Sequence, residues 1–276
     1  MMKTLKSILL FLLLSNIIFA QDIKVMSYNI RYDNPDDGIN KWSNRKEKIA
    51  TLILAYKPAI IGMQEVLSNQ LNDLNSTLKN YESFGVGRDD GKQKGEYAAI
   101  FFDQTIFKKL DGNYFWLSET PSIAGSKSWD AALTRMVTWV KLKHKKTGKT
   151  IFVFNTHFDH VGKIAREKSA LLIKDKIKQI AGEFDFILTG DLNTEPFEEA
   201  YQSLMNKGDN IFNDAAGKEN NDATFCGFET KNKNCKRIDY ILYSKKLSSK
   251  KYLVIHDNDG TFYPSDHMPV MAEITF

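Results

Sequence analysis

The stretch TIFVFNTHFDHVGKIAREKSALLIKDKIKQIAGEFDFILTGDLN, residues 150–193, decides the fold. It opens with an apolar, β-rich run from Thr150 to His157 and closes with a second from Phe184 to Thr189. Between them Ala170, Ile173, Ile177 and Ile180 recur at steps of three, four and three, which predicts a helix with one buried face. Each strand finishes in polar residues: Asn155-Thr156-His157 after the first, Gly190-Asp191-Leu192-Asn193 after the second. Working outward, similar runs lie at 23–30, 59–65, 97–102, 136–142, 238–243, 252–256 and 268–276. A further helical spacing joins Ile49, Leu52, Ile53 and Tyr56, and Lys146-Thr147-Gly148-Lys149 reads as a hairpin turn. Nine strands with few helices predict an α/β protein made of two packed sheets flanked by helices, rather than one doubly wound parallel sheet. Neither G-x-G-x-x-G nor the full Walker loop G-x-x-x-x-G-K-[ST] occurs, so a glycine-rich nucleotide loop is excluded.

Residues 1–20 carry Lys3 and Lys6, an apolar run from Ile8 to Leu14, and Ala20 at a plausible cleavage point, and so read as an export signal. That run is too short to span a bilayer comfortably. The remainder, 21–276, has no repeat or linker and is expected to be one domain, periplasmic or extracellular and monomeric, with no membrane span and no stable protein partner. Its formal charge of about +2 leaves no strong polyanion footprint. Export favours a bridge between the only two cysteines, Cys226 and Cys235, with two free thiols as the alternative.

Five apolar strands border a carboxylate, amide or imidazole: at Asn29, at Gln64-Glu65, at His157, at Asp191 and Asn193, and at Asp266-His267 before the last strand. Convergence of those ends would form one acidic pocket whose hard oxygen donors suit Mg²⁺ or Mn²⁺.

Seven ordered pieces, Ser-Tyr-Asn29, Gln-Glu65, Gly-Glu96-Tyr-Ala, Asn-Thr-His157, Gly-Asp191-Leu-Asn193, Arg-Ile-Asp239-Tyr and Ser-Asp266-His267, resemble the endonuclease/exonuclease/phosphatase superfamily over about residues 23–276. The resemblance implies a four-layered α/β sandwich of two mixed sheets and a phosphoesterase that attacks a phosphodiester, or a sugar or inositol phosphate, with water. It implies Glu65, Asn29 and Asp266 at the metal, and Asp191 with Asn193 orienting the water. It also implies two histidine–carboxylate pairs, His267 with Asp239 and His157 with Glu96, as proton-transfer or charge-stabilising groups. The runs around Arg31, Trp42 with Arg45, Lys127, Trp129 and Arg135 resemble a secreted bacterial subgroup, in which Arg135, Lys127 and Arg31 would contact the phosphate. Two other readings remain: a non-catalytic phosphate-binding module, and a dinuclear zinc hydrolase suggested by Thr156-His157-Phe158-Asp159-His160. Asn155 stands where the zinc signature needs its first histidine, and five histidines are few for two zinc ions.

Overall fold

The computed structural model describes residues 22–205, 208–217, 220 and 222–276; the expected export signal lies outside them. The chain runs β1 (Asp22–Asn29), a 3-10 turn (Pro35–Asn40), α1 (Trp42–Tyr56), β2 (Ile60–Val66), α2 (Ser68–Thr77), β3 (Tyr81–Phe84), β4 (Tyr97–Asp103) and β5 (Phe107–Trp116). It continues with β6 (Met136–His144), β7 (Thr150–His157), α3 (Lys163–Ala181), β8 (Asp185–Asp191), α4 (Glu199–Met205), β9 (Phe212–Asp214), β10 (Asp239–Ser244), β11 (Ser248–Val254) and β12 (Val270–Thr275). One sheet has the order β11-β12-β1-β2-β4-β3 and the other β5-β6-β7-β8-β10-β9. Each is mixed: β1 pairs β2 in parallel across α1, β7 pairs β8 in parallel across α3, and the other pairings are antiparallel.

Three apolar clusters separate the four layers. Val25, Ile60, Ile100, Val153, Ile187, Ile241 and Val270 fill the space between the sheets. Ile49 and Ile53 of α1 cover the outer face of the first sheet with Met26, Ile61 and Phe101. Ala170, Ile173 and Ile177 of α3, the residues whose spacing predicted it, cover the second with Phe154 and Leu188. Alternation within a strand thus serves both faces, since both are buried.

At the polar end of the strands the sheets come closest. A Cβ on Gly62 would lie 1.9 Å from Thr189 Oγ1, so only glycine fits this crossing. Beside it Gln64 Nε2 donates to Asn155 Oδ1 (2.7 Å), which also accepts from Thr189 Oγ1 (3.0 Å), while Asn155 Nδ2 donates to the carbonyls of Met63 and Ala99. Gln64 and Asn155, strand-end polar residues in the sequence, therefore staple one sheet to the other. These buried hydrogen bonds favour a single arrangement of the layers.

Candidate active site

Strand register brings the second sheet's functional residues into one row. His157 pairs with Asp191 across β7 and β8, and Asp239 pairs with Asp191 across β10 and β8. From the first sheet come Asn29 at the end of β1, Glu65 near the end of β2, and Asp266 and His267 just before β12. They meet at a cleft of about 410 Å³ lined by, among others, Arg31, Glu65, Glu96, Arg135, His157, His160, Asp191, Asn193, Asp266 and His267.

The backbone is strained where it presents these groups. Five non-glycine residues among those described have left-handed backbone angles, and three of them, Arg31 (φ 58°), Glu65 (φ 60°) and Asn193 (φ 46°), line the cleft. Glu65 occupies the irregularity where pairing of β2 with β4 skips from Met63 to Val66, so the bulge re-aims its carboxylate. Such strain persists only where the surroundings hold it, and it concentrates at working sites.

Asp191 is the centre. Its Oδ2 accepts from Asn29 Nδ2 at 2.9 Å and lies 3.5 Å from His157 Nε2 and 3.7 Å from His267 Nε2; its Oδ1 accepts from the Asn193 backbone. Burial raises its pKa, and the charge of Asp239 adds to that after His157 has opposed it. Asn29 lies beneath the cleft with its amide engaged: Nδ2 also donates to Glu65 Oε1 (3.1 Å), and Oδ1 accepts from the Arg31 backbone (3.0 Å). It orients two carboxylates, one of them Glu65, the expected metal ligand.

The two imidazoles differ. His267 Nδ1 is 2.9 Å from Asp239 Oδ2, which also accepts from Thr224 Oγ1 (2.6 Å). Burial works against a charge on His267, but Asp239, then Asp191, outweigh it and hold its pKa up at about 10. For His157 the expected partnership is loose. Glu96 Oε2 takes a 2.6 Å bond from Arg88 and stands 3.7 Å from His157 Nδ1. Asn193 Nδ2, oriented by its bond to the Phe158 carbonyl, lies 3.1 Å from His157 Nε2, which makes that nitrogen the acceptor. Burial, then Arg135, depress its pKa to about 3, so His157 is neutral. Arg88 carried no signal in the sequence reading, yet it decides what Glu96 can do.

Of the expected phosphate contacts, Arg135 is 4% exposed, and its Nε and Nη1 have no hydrogen-bond partner in the protein. Buried donors left in that state suit an anion arriving in the cleft. Arg31 lines the cleft but is held by Asp37 through two bonds, with Nη1 3.8 Å from Asp266. Lys127 does not line it; its ammonium donates to the Ala132 carbonyl. Arg45, 2% exposed, donates to the carbonyls of Ile30, Arg31, Asn40 and Pro264, and so ties the loop after β1 to the loop that carries Asp266.

Cys226 and Cys235 form a disulfide. The backbone amides of Cys226 and Gly227 donate to the Asp266 carbonyl, and the Phe225 ring packs 4.7 Å from that of His267. The bridge therefore braces the His267 side of the cleft.

Glu65 and Asp266 both open to the cleft as hard oxygen donors. Burial pushes the Asp266 carboxyl up, and Glu65 adds to the shift after His267 has opposed it. Such a pair of acidic groups fits a divalent cation. A second buried group, Asp191, Asp239 and His267, has one ligand atom from each within 4.8 Å of the others, but there His267 and Asp239 already bond one another.

Known proteins share this arrangement. The model of the endonuclease/exonuclease/phosphatase family matches residues 26–267, nearly the whole described chain. The chain belongs to that family. A Bacteroides vulgatus member with a solved structure is 40% identical, with 92% of this chain and 98% of that one superposed at a TM-score of 0.87. The Bacteroides thetaiotaomicron mannosyl-6-phosphatase is 36% identical over 92% of this chain and all of that one, at a TM-score of 0.86. A probable RNA exonuclease of Saccharomyces cerevisiae is 28% identical over 67% of this chain; the match spans only 40% of that protein. Family membership makes the chain a hydrolase of phosphate esters.

Proposed function

We propose that the protein is a secreted, Mg²⁺- or Mn²⁺-dependent phosphoesterase that hydrolyses phosphomonoesters of sugars by in-line attack of water. One observation supports the reading: two sheets deliver Glu65, Asp191, Asp266 and His267 to a single cleft, together with Arg135, whose Nε and Nη1 make no hydrogen bond and only long ion pairs with Asp159 (3.8 Å) and Glu96 (4.0 Å). The cleft's volume of about 410 Å³ is in the range that holds a small molecule. The 36%-identical mannosyl-6-phosphatase, matched along its full length, favours a sugar monoester, and the modest net charge favours it over a long polyanion. The disulfide agrees with an oxidising compartment.

Glu65 and Asp266 would hold the metal, which as a Lewis acid stabilises charge on the phosphoryl oxygens. Arg135, whose side chain lines the cleft, binds the phosphate. Asp191, raised by burial and placed by Asn29 and the Asn193 amide, takes the proton from the attacking water. His267 is charged at neutral pH and donates from Nε2 to a phosphoryl oxygen; Asp239 keeps the other ring nitrogen occupied. His157 is a neutral wall of the cleft, anchored by Asn193.

The phosphodiester reading, favoured by the RNA exonuclease likeness, is the second candidate. Steady-state hydrolysis by residues 21–276 of mannose 6-phosphate, p-nitrophenyl phosphate, bis-p-nitrophenyl phosphate and single-stranded RNA, with Mg²⁺, Mn²⁺ or EDTA, separates them. Metal-dependent release from the monoesters is expected. Preference for both diesters would reverse the order of the two readings, and turnover that persists in EDTA would remove the metal.

A further inference from the structure

His160 is a third imidazole in the cleft, and the chemistry above makes no use of it. It is exposed, yet the backbone on either side is fixed. The neighbouring Asp159 carboxylate, 2% exposed, accepts from the amides of Leu133 (2.9 Å), Val161 (3.0 Å) and Gly162 (2.7 Å), and the Asp159 carbonyl accepts from Arg166 (3.0 Å). The first residue of α3, Lys163, follows three residues later. The ring is oriented as well: Arg135 Nη2 lies 3.3 Å from His160 Nδ1.

A guanidinium has donors and no acceptor, so Nδ1 of His160 must accept and the ring's proton resides on Nε2. The ring's remaining polar atom, Nε2, is an N–H donor. Phosphate is served by the charged groups deeper in the cleft, Arg135 and His267, both buried. A donor on an exposed wall of the cleft, apart from those buried cations, matches an acceptor farther from the phosphorus, and a sugar hydroxyl is such an acceptor.

We propose that His160 is a specificity-determining residue whose Nε2–H donates to a hydroxyl oxygen of the sugar portion of the substrate, selecting polyol phosphates over aryl phosphates. This rests on the sugar-phosphate reading of the site. One neutral hydrogen bond lost between enzyme and substrate corresponds to about three- to tenfold in affinity.

The test uses the Mg²⁺-loaded enzyme with His160→Met, which removes both polar atoms at similar size, and His160→Gln, which retains a donor and an acceptor. His160→Met is expected to raise KM for mannose 6-phosphate about three- to tenfold with kcat within about twofold, and to leave KM for p-nitrophenyl phosphate within about twofold; His160→Gln recovers most of the loss. Equal losses on both esters would make His160 only a prop for Arg135, and no loss on the sugar ester would remove the contact; either overturns the inference. Nitrogen-15 shifts of the His160 ring in the wild type give a readout independent of turnover: a proton on Nε2 alone is expected, and one on Nδ1 refutes the assignment. A wild type that hydrolyses p-nitrophenyl phosphate but no sugar phosphate overturns the inference together with the substrate reading, whereas one inert on every ester overturns the phosphoesterase reading beneath it.

Discussion

His157 and His267 stand on opposite sides of Asp191, 3.5 and 3.7 Å from the same carboxylate oxygen, and both are nearly sealed from solvent. They nevertheless take opposite charge states. The cause is what lies behind each ring. His267 has a carboxylate in direct contact at 2.9 Å, and the acidic groups Asp191 and Asp266 near it. His157 shares Asp191 but has two arginines beside it, and the carboxylate on its Nδ1 side, Glu96, is already bonded to Arg88. A histidine beside an acid is thus not by itself an activated pair; whether the acid is spent elsewhere decides.

The largest expected effect is at the charged side. His267→Ala, like Glu65→Ala, should lower kcat on the best substrate by about a thousandfold or more while far-ultraviolet circular dichroism stays native. Next, Asp239→Asn should cost about a hundredfold, since it removes the anion that keeps His267 charged, whereas Glu96→Gln should cost less than about tenfold. Equal losses in these two variants would restore the picture of two equivalent pairs.

Breaking the bridge with Cys226→Ser and Cys235→Ser should reduce unfolding free energy by about 2–3 kcal/mol, read from urea denaturation, and should disturb ring signals of His267 more than those of His157. The contrast also shows in pH dependence, followed by imidazole NMR and thermal melting in EDTA. His267, raised from 6.5 to about 10, contributes stability that is complete below pH 6.5 and lost as pH climbs toward 10. His157, depressed from 6.5 to about 3, has the reverse sign: stability drops as pH falls from 6.5 toward 3, because the unfolded chain takes a proton that the folded one refuses. Asp239→Asn should flatten the alkaline side only. A His157 that titrates near 6.5 in the folded protein would dissolve the contrast.

The sequence was legible where strands are buried on both faces. All eight interior strands fell on the apolar runs, and the hairpin at 146–149 joins β6 to β7 as expected. The misses are the edges: β3, β5 and β9 went unseen, and β11 begins at Ser248 rather than at residue 252. An edge strand such as β5, with FKKLDGNYFW broken by a register shift after Lys109, needs no continuous apolar run because part of it faces water. The polar strand ends do converge, six of them (Glu65, His157, Asp191, Asn193, Asp266 and His267) lining one cleft, whereas Arg31, Glu96 and Arg135 were expected there from the family resemblance. Hidden from the sequence were the partnerships: that Asn29 serves two carboxylates, that Lys127 lies away from the cleft, and that Arg88, from a loop with no motif, takes Glu96. Those depend on which side chain arrives closer, by an ångström or so, and no pattern of residue types encodes that.

Arg45 ties the loop after the first strand to the Pro264 carbonyl, and β1 itself lies between β12 and β2. Asp266 and His267, the proposed metal ligand and phosphate donor, lie just before β12. Synthesis proceeds from the other end, so a growing chain holds Glu65, His157 and Asp191 long before it owns the residues that complete the cleft. On the proposed mechanism, hydrolytic competence therefore waits on the docking of β12 beside β1.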